Sequence, residues 1–276
     1  MILEIDYFSG AGNLFTAIDN KNYKLSKDIF SKYAPILTQK NNITIKKTEG
    51  IIVINESKDY DFEVWFFNPD GSSGMMCGNG GRCAISYAYE KNYIKNKNSN
   101  QVRFLMNGNV YFGEFYNNLI GIYFLPPFTV SEYIEIEIDG HKTIGKYVNV
   151  GTDHFVINVE DVSKIDVFNI GKKVREHSKF VPNGVNANFY SIDTKNKLRI
   201  RTYERGVEAE TGACGTGAIS TALVYSGITG VDNIELLPTS KNQLQVKINK
   251  KNNIIQNIVL IGNAVNLGSS NIKLDI

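Results

Sequence analysis

The chain has 276 residues, 42% hydrophobic and 21% charged, and its 30 Lys and Arg against 28 Asp and Glu leave a formal charge of +2. That balance is globular; it excludes disordered and fibrous classes and, with no long block of like charge, offers no surface for nucleic acid or membrane. The length allows one large domain or two smaller ones, with enough apolar surface to fold without disulfides or metals. The opening MILEIDYFSG carries Glu4 and Asp6 where a secretion signal is basic and then apolar, and no apolar run approaches the roughly 20 residues a bilayer span needs. Three cysteines make no disulfide framework, so a reduced cytoplasmic setting is expected.

In chain order, SKDIFSKYAPIL (26–37) predicts a flanking helix, and GIIVIN (50–55) and FEVWFFN (62–68) predict strands rich in β-branched and aromatic residues. GRCAISYAYEKNY (81–93) has small and apolar residues at helical spacing. Strand signals resume at VRFLMNGNVYFGEF (102–115) and EYIEIEI (132–138), punctuated by Asn107-Gly108 and Asp139-Gly140. VFNIGKKVREHSKF (167–180) predicts another flanking helix, and GAISTALVYSG (217–227) a buried one with Gly227 as its stop. The pattern is α+β.

The chain also repeats itself. Cys77-Gly78-Asn79-Gly80 leads into Ala84-Ile85-Ser86, and Cys214-Gly215-Thr216-Gly217 leads into Ala218-Ile219-Ser220, an offset of 137 residues. Gly12-Asn13-Leu14-Phe15 and Gly151-Thr152-Asp153-His154-Phe155 are offset by 139, and Gly71 before the first cysteine pairs with Gly206 before the second. Three matches in register imply a duplicated half, hence two similar domains related by a pseudo-two-fold axis.

Each half presents a cysteine where a glycine-rich turn enters a helix. Free N–H groups and the helix dipole there stabilise a thiolate and can dock a carboxylate. A thiol with an ordinary pKa of ~8.5 is about 3% ionised at pH 7; a shift to ~7.5 raises this to roughly a quarter. A thiolate and a thiol on opposite faces of one carbon invert a stereocentre: one removes a proton and the other returns one. A single cysteine is more often a small buried hydrophobe, and Cys83 is read as core. Other sites fit less well. Cys77 and Cys83 with one distant cysteine match no zinc pattern, and Gly10-Ala11-Gly12 lacks the third glycine of a dinucleotide fingerprint. A Cys–His nucleophile pair using His154 or His177 leaves the second C-G-x-G unexplained, and a Schiff-base lysine stays open on composition alone.

NPDGSSGMMCGNGGRCA (68–84) and ERGVEAETGACGTGA (204–218) closely resemble the two signature stretches of the diaminopimelate epimerase family. FSGAGNLF (8–15), VGTDHFV (150–156), PNGVNANF (182–189) and VLIGNAVNLGS (259–269) follow in the family's order. The resemblance implies interconversion of LL- and meso-2,6-diaminopimelate, a small amino-acid substrate, without pyridoxal phosphate or metal, in lysine and peptidoglycan precursor synthesis. It implies two pseudo-symmetric α+β domains, each a curled mixed sheet around a central helix, with the active site in the cleft between them. A C-terminal strand that returns to the first domain, for which the apolar run 258–261 is read, gives an N-terminal domain of 1–124 plus 263–276 and a C-terminal domain of 125–262.

Carried over by position, Cys77 and Cys214 are the acid–base pair, and His154 and Glu204 support them. Gly78, Asn79, Gly215 and Thr216 hold the reacting carboxylate, and Asn13, Asn68, Thr152, Asn186, Glu204 and Arg205 fall on substrate contacts. From the residues alone, Asn68 could equally cap a turn and Arg205 could be a solvated loop charge. The chain departs from the family at Thr152-Asp153, where Asn-Pro is usual, and at IKKTEG (45–50), where a glycine-rich stretch is usual. The family implies a homodimer, although Gly268 stands where members carry an aromatic that assists it. Two alternatives stay open: a cofactor-independent racemase of another amino acid on the same fold, and a non-catalytic binding protein.

Overall fold

Runs of valine, isoleucine and aromatic residues make most of this chain strand. In the computed structural model, residues 1–73, 78–96 and 98–275 are described, and the chain divides into two units, Met1–Tyr123 with Gly262–Ile276, and Phe124–Ile261. The first unit begins β1 (Ile2–Gly10), β2 (Asn13–Asp19), α1 (Lys27–Leu37), β3 (Gly50–Asn55) and β4 (Phe62–Phe67). It continues α2 (Gly78–Glu90), β5 (Gln101–Met106), β6 (Asn109–Tyr116) and β7 (Leu119–Phe124). GIIVIN is buried from Gly50 to Ile54, as a central strand covered on both faces must be, whereas β5 alternates in and out. The expected segment 102–115 is two strands, because Asn107 (φ 47°) and Gly108 (φ 85°) both turn left-handed and form a tight hairpin.

The second unit comprises β8 (Thr129–Ile138), β9 (His141–Asn149), β10 (Asp153–Asn158), α3 (Val167–Arg175), β11 (Asn186–Thr194) and β12 (Lys197–Glu204). It ends with β13 (Ala209–Thr211), α4 (Gly215–Thr229), β14 (Asn233–Leu237), β15 (Leu244–Lys251) and β16 (Ile254–Gly262). The chain then returns: β17 (Val265–Lys273) pairs antiparallel with β1. The returning strand is therefore β17 and not the run 258–261, which is the buried part of β16 and pairs with β15.

The duplication is visible in the pairing. The first unit runs β17-β1-β2-β3-β4-β5-β6-β7, with parallel links only at β2–β3 and β4–β5. The second runs β8-β9-β10-β11-β12-β14-β15-β16, with parallel links at the same two places, β10–β11 and β12–β14. Parallel neighbours need a crossover, and each of these four carries a helix: α1 and α2 in one unit, α3 and α4 in the other. The glycine pairs seen by offset share backbone geometry: Gly12 and Gly151 have φ 96° and 98°, Gly71 and Gly206 86° and 90°.

In each unit one helix is amphipathic and the other is buried all round. Phe30, Ala34 and Leu37 of α1 pack on Leu3, Ile5, Ile51 and Val53, and Val167 and Val174 of α3 on Phe155, Ala187 and Phe189. Burial of such side chains contributes roughly 1.5–3 kcal/mol each. Every residue of α4 from Gly217 to Ser226 is buried, which marks a core helix. Three expected helix limits move. α2 runs 78–90 instead of 81–93, because Asn92 turns left-handed (φ 64°). α3 stops at Arg175, whose carbonyl is taken by Val185 N–H, and residues 178–180 form a separate 3₁₀ turn. α4 passes Gly227 and ends at Gly230, whose φ of 72° is the left-handed cap.

Candidate active site

Alternation along the central strands of the second unit sets the polar groups. His154 on β10 lies level with Asn186 on β11, and Asn188 two residues on lies level with Thr202 on β12. Residues two apart share a face of the sheet, so Asn186 and Asn188, like Thr202 and Glu204, each project together. Cys214 is the N-cap of α4, in an extended conformation (φ −108°, ψ 115°). Its Sγ accepts from Gly217 N–H at 3.3 Å and lies 3.6 Å from Thr216 Oγ1. Gly217 makes this approach possible: a Cβ there would lie 2.4 Å from Asn188 Oδ1 and 3.2 Å from Sγ.

Glu204, at the end of β12, accepts from the Thr211 hydroxyl and interacts electrostatically with the Cys214 thiol. Burial raises the Glu204 carboxyl above its ordinary value. Burial also pushes the Cys214 thiol well up, and the Glu204 charge adds to it. Thr216 and the Gly217 N–H work the other way and do not win. The expectation of a lowered pKa at this helix start is thereby corrected for Cys214: desolvation disfavours the anion more than the helix end favours it. At neutral pH Cys214 is a thiol.

His154 is completely buried, and burial lowers its pKa to about 3. Its Nδ1 lies 3.0 Å from Asn188 Nδ2 and its Nε2 2.9 Å from Thr152 Oγ1. Asn186 Nδ2 donates to the Asp153 carbonyl at 2.9 Å, and its Oδ1 accepts from Arg205 N–H at 2.8 Å. Arg205 is not a solvated loop charge. Its Nη1 donates to Asp153 Oδ2 at 3.0 Å and to the carbonyls of Asn183 and Gly184. Asp153 is itself held by Tyr147 Oη at 2.6 Å and Asn149 Nδ2 at 2.8 Å. The residue that replaces the family's usual proline thus ties down the arginine.

In the first unit, Asn13 and Asn79 are buried together at the start of α2. Asn79 Nδ2 donates to Asn13 Oδ1 at 2.7 Å, and Asn13 Nδ2 donates to Glu49. Arg82, fully buried, donates to Asn79 Oδ1 at 2.7 Å and to the Gly78 carbonyl at 3.3 Å. Asn68 caps its turn, with Nδ2 donating to Ser72 Oγ at 2.9 Å. Cys83 is buried core. Cys77 lies outside the described residues.

The structure therefore brings together Thr152, His154, Asn186, Glu204, Arg205, Cys214, Gly215 and Thr216 within one unit, and Asn13, Gly78 and Asn79 within the other. Asn188, Thr202, Thr211, Arg82 and Glu49 were not singled out from the sequence. Among the described residues no three or more His, Cys, Asp and Glu form a metal-binding group, and no helix is long and apolar enough to cross a membrane.

Comparison with known proteins sets this arrangement in context. A family profile described as Diaminopimelate epimerase matches residues 8–110 and 146–267. The diaminopimelate epimerase of Aquifex aeolicus is 37% identical over 230 residues, 80% of this chain and 81% of that protein. That of Flavobacterium psychrophilum is 33% identical over 263 residues, 93% and 95% of the two chains. Among solved structures, a Bacillus anthracis protein of the PhzF phenazine biosynthesis family superposes with a TM-score of 0.75 at 12% identity, covering 99% of this chain and all of that one. A hydroxyproline epimerase from Agrobacterium vitis gives 0.71 at 12%, covering 100% and 93%. These likenesses show the same two-part α+β fold.

Proposed function

The chain belongs to the diaminopimelate epimerase family, and from that premise we propose that it interconverts LL- and meso-2,6-diaminopimelate by proton exchange between two thiols. The observation that carries the reading is the Cys214 thiol, buried at a helix start beside Glu204 and repeated in sequence by Cys77. The two units are then the two halves of the enzyme, one contributing each cysteine.

In the direction where Cys214 acts as acid, the Cys77 thiolate removes the α-proton and the Cys214 S–H delivers its proton to the opposite face. This leaves a Cys77 thiol and a Cys214 thiolate, and the charge is conserved. Gly217 N–H already donates to Sγ, and the Thr216 hydroxyl, 3.6 Å away, can donate to the thiolate once it forms; both stabilise it. Glu204, whose carboxyl burial raises above its ordinary value, sits beside the same sulfur.

The α-carboxylate docks on the N–H groups of Gly78-Asn79 and Gly215-Thr216. Arg205 is pinned through Nη1, which leaves its Nε–Nη2 edge for the distal carboxylate in a two-bond fork. Asn13, Asn68, Thr152 and Asn186 supply the remaining polar contacts. The same reading makes the protein a cytoplasmic homodimer serving lysine and peptidoglycan precursor synthesis.

Incubation with LL-diaminopimelate in deuterated water tests it. The expected result is meso product carrying one deuterium at the inverted carbon. Equally fast racemisation of lysine or another one-centre amino acid would overturn the substrate and leave the fold-level reading.

A further inference from the structure

The strand β13 ends just ahead of Cys214, and three paired positions on β12 do little to stop so short a strand from sliding. Two side-chain contacts prevent it, one on each face of the sheet. On the site face the Thr211 hydroxyl donates to Glu204. On the opposite face Arg201 grips Glu210 in a two-bond fork, Nε to Oε1 at 2.8 Å and Nη2 to Oε2 at 2.6 Å. The two contacts lean in opposite directions. Thr211 lies level with Thr202 but reaches on to Glu204, whereas Glu210 lies level with Tyr203 and is held by Arg201, two residues back. A slide of β13 that relaxed one contact would stretch the other, and a slip of one residue would turn Thr211 to the wrong face.

Arg201 is itself anchored. Its Nη1 donates to the carbonyls of Ile165 at 2.7 Å and Val162 at 3.1 Å, in the turn that leads into α3. Thr239 Oγ1 donates to Glu210 Oε1 at 2.7 Å, and Ser240 N–H donates to the Gly212 carbonyl at 2.8 Å. Burial alone would raise the Glu210 pKa, but the guanidinium and the Thr239 hydroxyl outweigh it and hold the carboxyl below its ordinary value. The pair is therefore charged at neutral pH. Beyond Cys214 the chain is fixed by the buried helix α4; before it, by β13. We propose that Arg201 and Glu210 are positioning residues for proton transfer at Cys214: from the far face of the sheet they lock the register of β13, which keeps Thr211 on Glu204 and Glu204 beside the thiol. The proposal deepens, and rests on, the reading of this chain as an amino-acid epimerase. Proton transfer between sulfur and carbon needs a short, aligned gap, and a misplacement of about 1 Å can cost about 100-fold in rate.

Variants of the full chain test it, each with its urea midpoint recorded. Arg201→Met removes the fork, and Glu210→Gln keeps the shape but only one of the two bonds. Both should lower kcat by about 10- to 100-fold with KM within about threefold of wild type, because β13 carries no group that binds substrate. Arg201→Lys keeps the charge and cannot fork, so its kcat should fall between theirs and wild type. The double variant Arg201→Met/Glu210→Gln should match Arg201→Met within about twofold, since the pair acts as one unit. In Arg201→Met and Glu210→Gln, Cys214 should also react with iodoacetamide at pH 8 at least about tenfold faster than in wild type, as the segment ahead of it opens locally; peptide mapping identifies the site. Val174→Ala, a cavity in the core beside α3, controls for stability alone. It should lower the urea midpoint while kcat and the Cys214 alkylation rate stay within about twofold of wild type.

Wild-type kcat, or a wild-type alkylation rate, in both Arg201→Met and Glu210→Gln would overturn the proposal. So would a Val174→Ala variant that loses kcat to the same extent. If the wild-type chain does not epimerise diaminopimelate, the functional reading fails on its own; the alkylation rates still decide whether the pair holds the thiol in place, and unchanged rates would refute it there too.

Discussion

Two glycines of one helix should respond to the same substitution with opposite signs. Alanine in place of glycine inside a helix gains about 0.5–1 kcal/mol from backbone entropy alone. At Gly227, in the last turns of α4, an added Cβ meets nothing within 4 Å, so Gly227→Ala should stabilise by about that amount. At Gly217 the same Cβ falls 2.4 Å from Asn188 Oδ1 and 3.2 Å from both Cβ and Sγ of Cys214. Carbon and oxygen do not approach so closely, and Asn188, wholly buried, has to move by about 1 Å. The move breaks its bond from Thr202 and loosens that to His154. Disrupting buried polar pairs costs about 1–3 kcal/mol, which outweighs the entropic gain. Gly217→Ala should therefore be about 1–2 kcal/mol less stable than wild type and should lose activity as Cys214 shifts. Urea unfolding followed by circular dichroism, with both variants side by side, measures the difference. A Gly217→Ala midpoint raised as much as that of Gly227→Ala would refute the packing argument.

Cys214, buried and with a raised pKa, should be alkylated by iodoacetamide at pH 8 far more slowly than a small free thiol; peptide mapping reads the modification, and equal rates would contradict the burial. His154 should make stability depend on pH. Its folded pKa of about 3 lies below the unfolded ~6.5, so the unfolded chain binds the extra proton between these values and stability falls as pH is lowered through that window, by up to about 1.4 kcal/mol per unit. A His154→Gln variant should lack that component of the slope in urea titrations from pH 6.5 to 4.5. Asp153 is shifted the other way in charge terms: burial alone would raise its pKa, but the Tyr147 hydroxyl and Arg205 outweigh it and stabilise the anion. Asp153→Asn should cost about 1 kcal/mol and weaken the hold on Arg205, visible as a raised KM with stability only modestly changed.

The motifs made much of the site readable, because helix starts and left-handed glycines are local features. Gly12, Gly71, Gly151 and Gly206 were recognisable by offset, and each has the positive φ that makes glycine necessary there. What stayed hidden depends on register. Nothing in ANFYSIDTKNKLRIRTYE announces that Asn188 faces Thr202, since a one-residue slip of β11 on β12 would part them. The pairing of Asp153 with Arg205, 52 positions apart, required the fold. The Cys214 pKa went the other way from the local expectation because a helix terminus is legible in sequence and depth of burial is not. Arg82 was in view as part of GGRCA, but a charge in an otherwise small and apolar helix announces its importance only once its burial is known.

The return of β17 to β1 gives the chain an unusual circularity. Ile2 pairs with Lys273, the Met1 amino group donates to the Leu274 carbonyl at 2.7 Å, and Leu274 N–H donates to the Met1 carbonyl at 2.9 Å. The edge of one sheet therefore closes only after a loop spanning nearly the whole polypeptide, whereas the other unit is drawn entirely from contiguous sequence, 124–261. Loop closure grows costlier with length, although only logarithmically, so the contiguous unit has the shorter search and the interrupted one the longer. A circular permutant that joins residue 276 to residue 1 through a short linker and opens the chain at 261/262 would convert the nested order into a tandem one. It would make both units contiguous, placing β17 directly ahead of β1 just as β8 already stands directly ahead of β9.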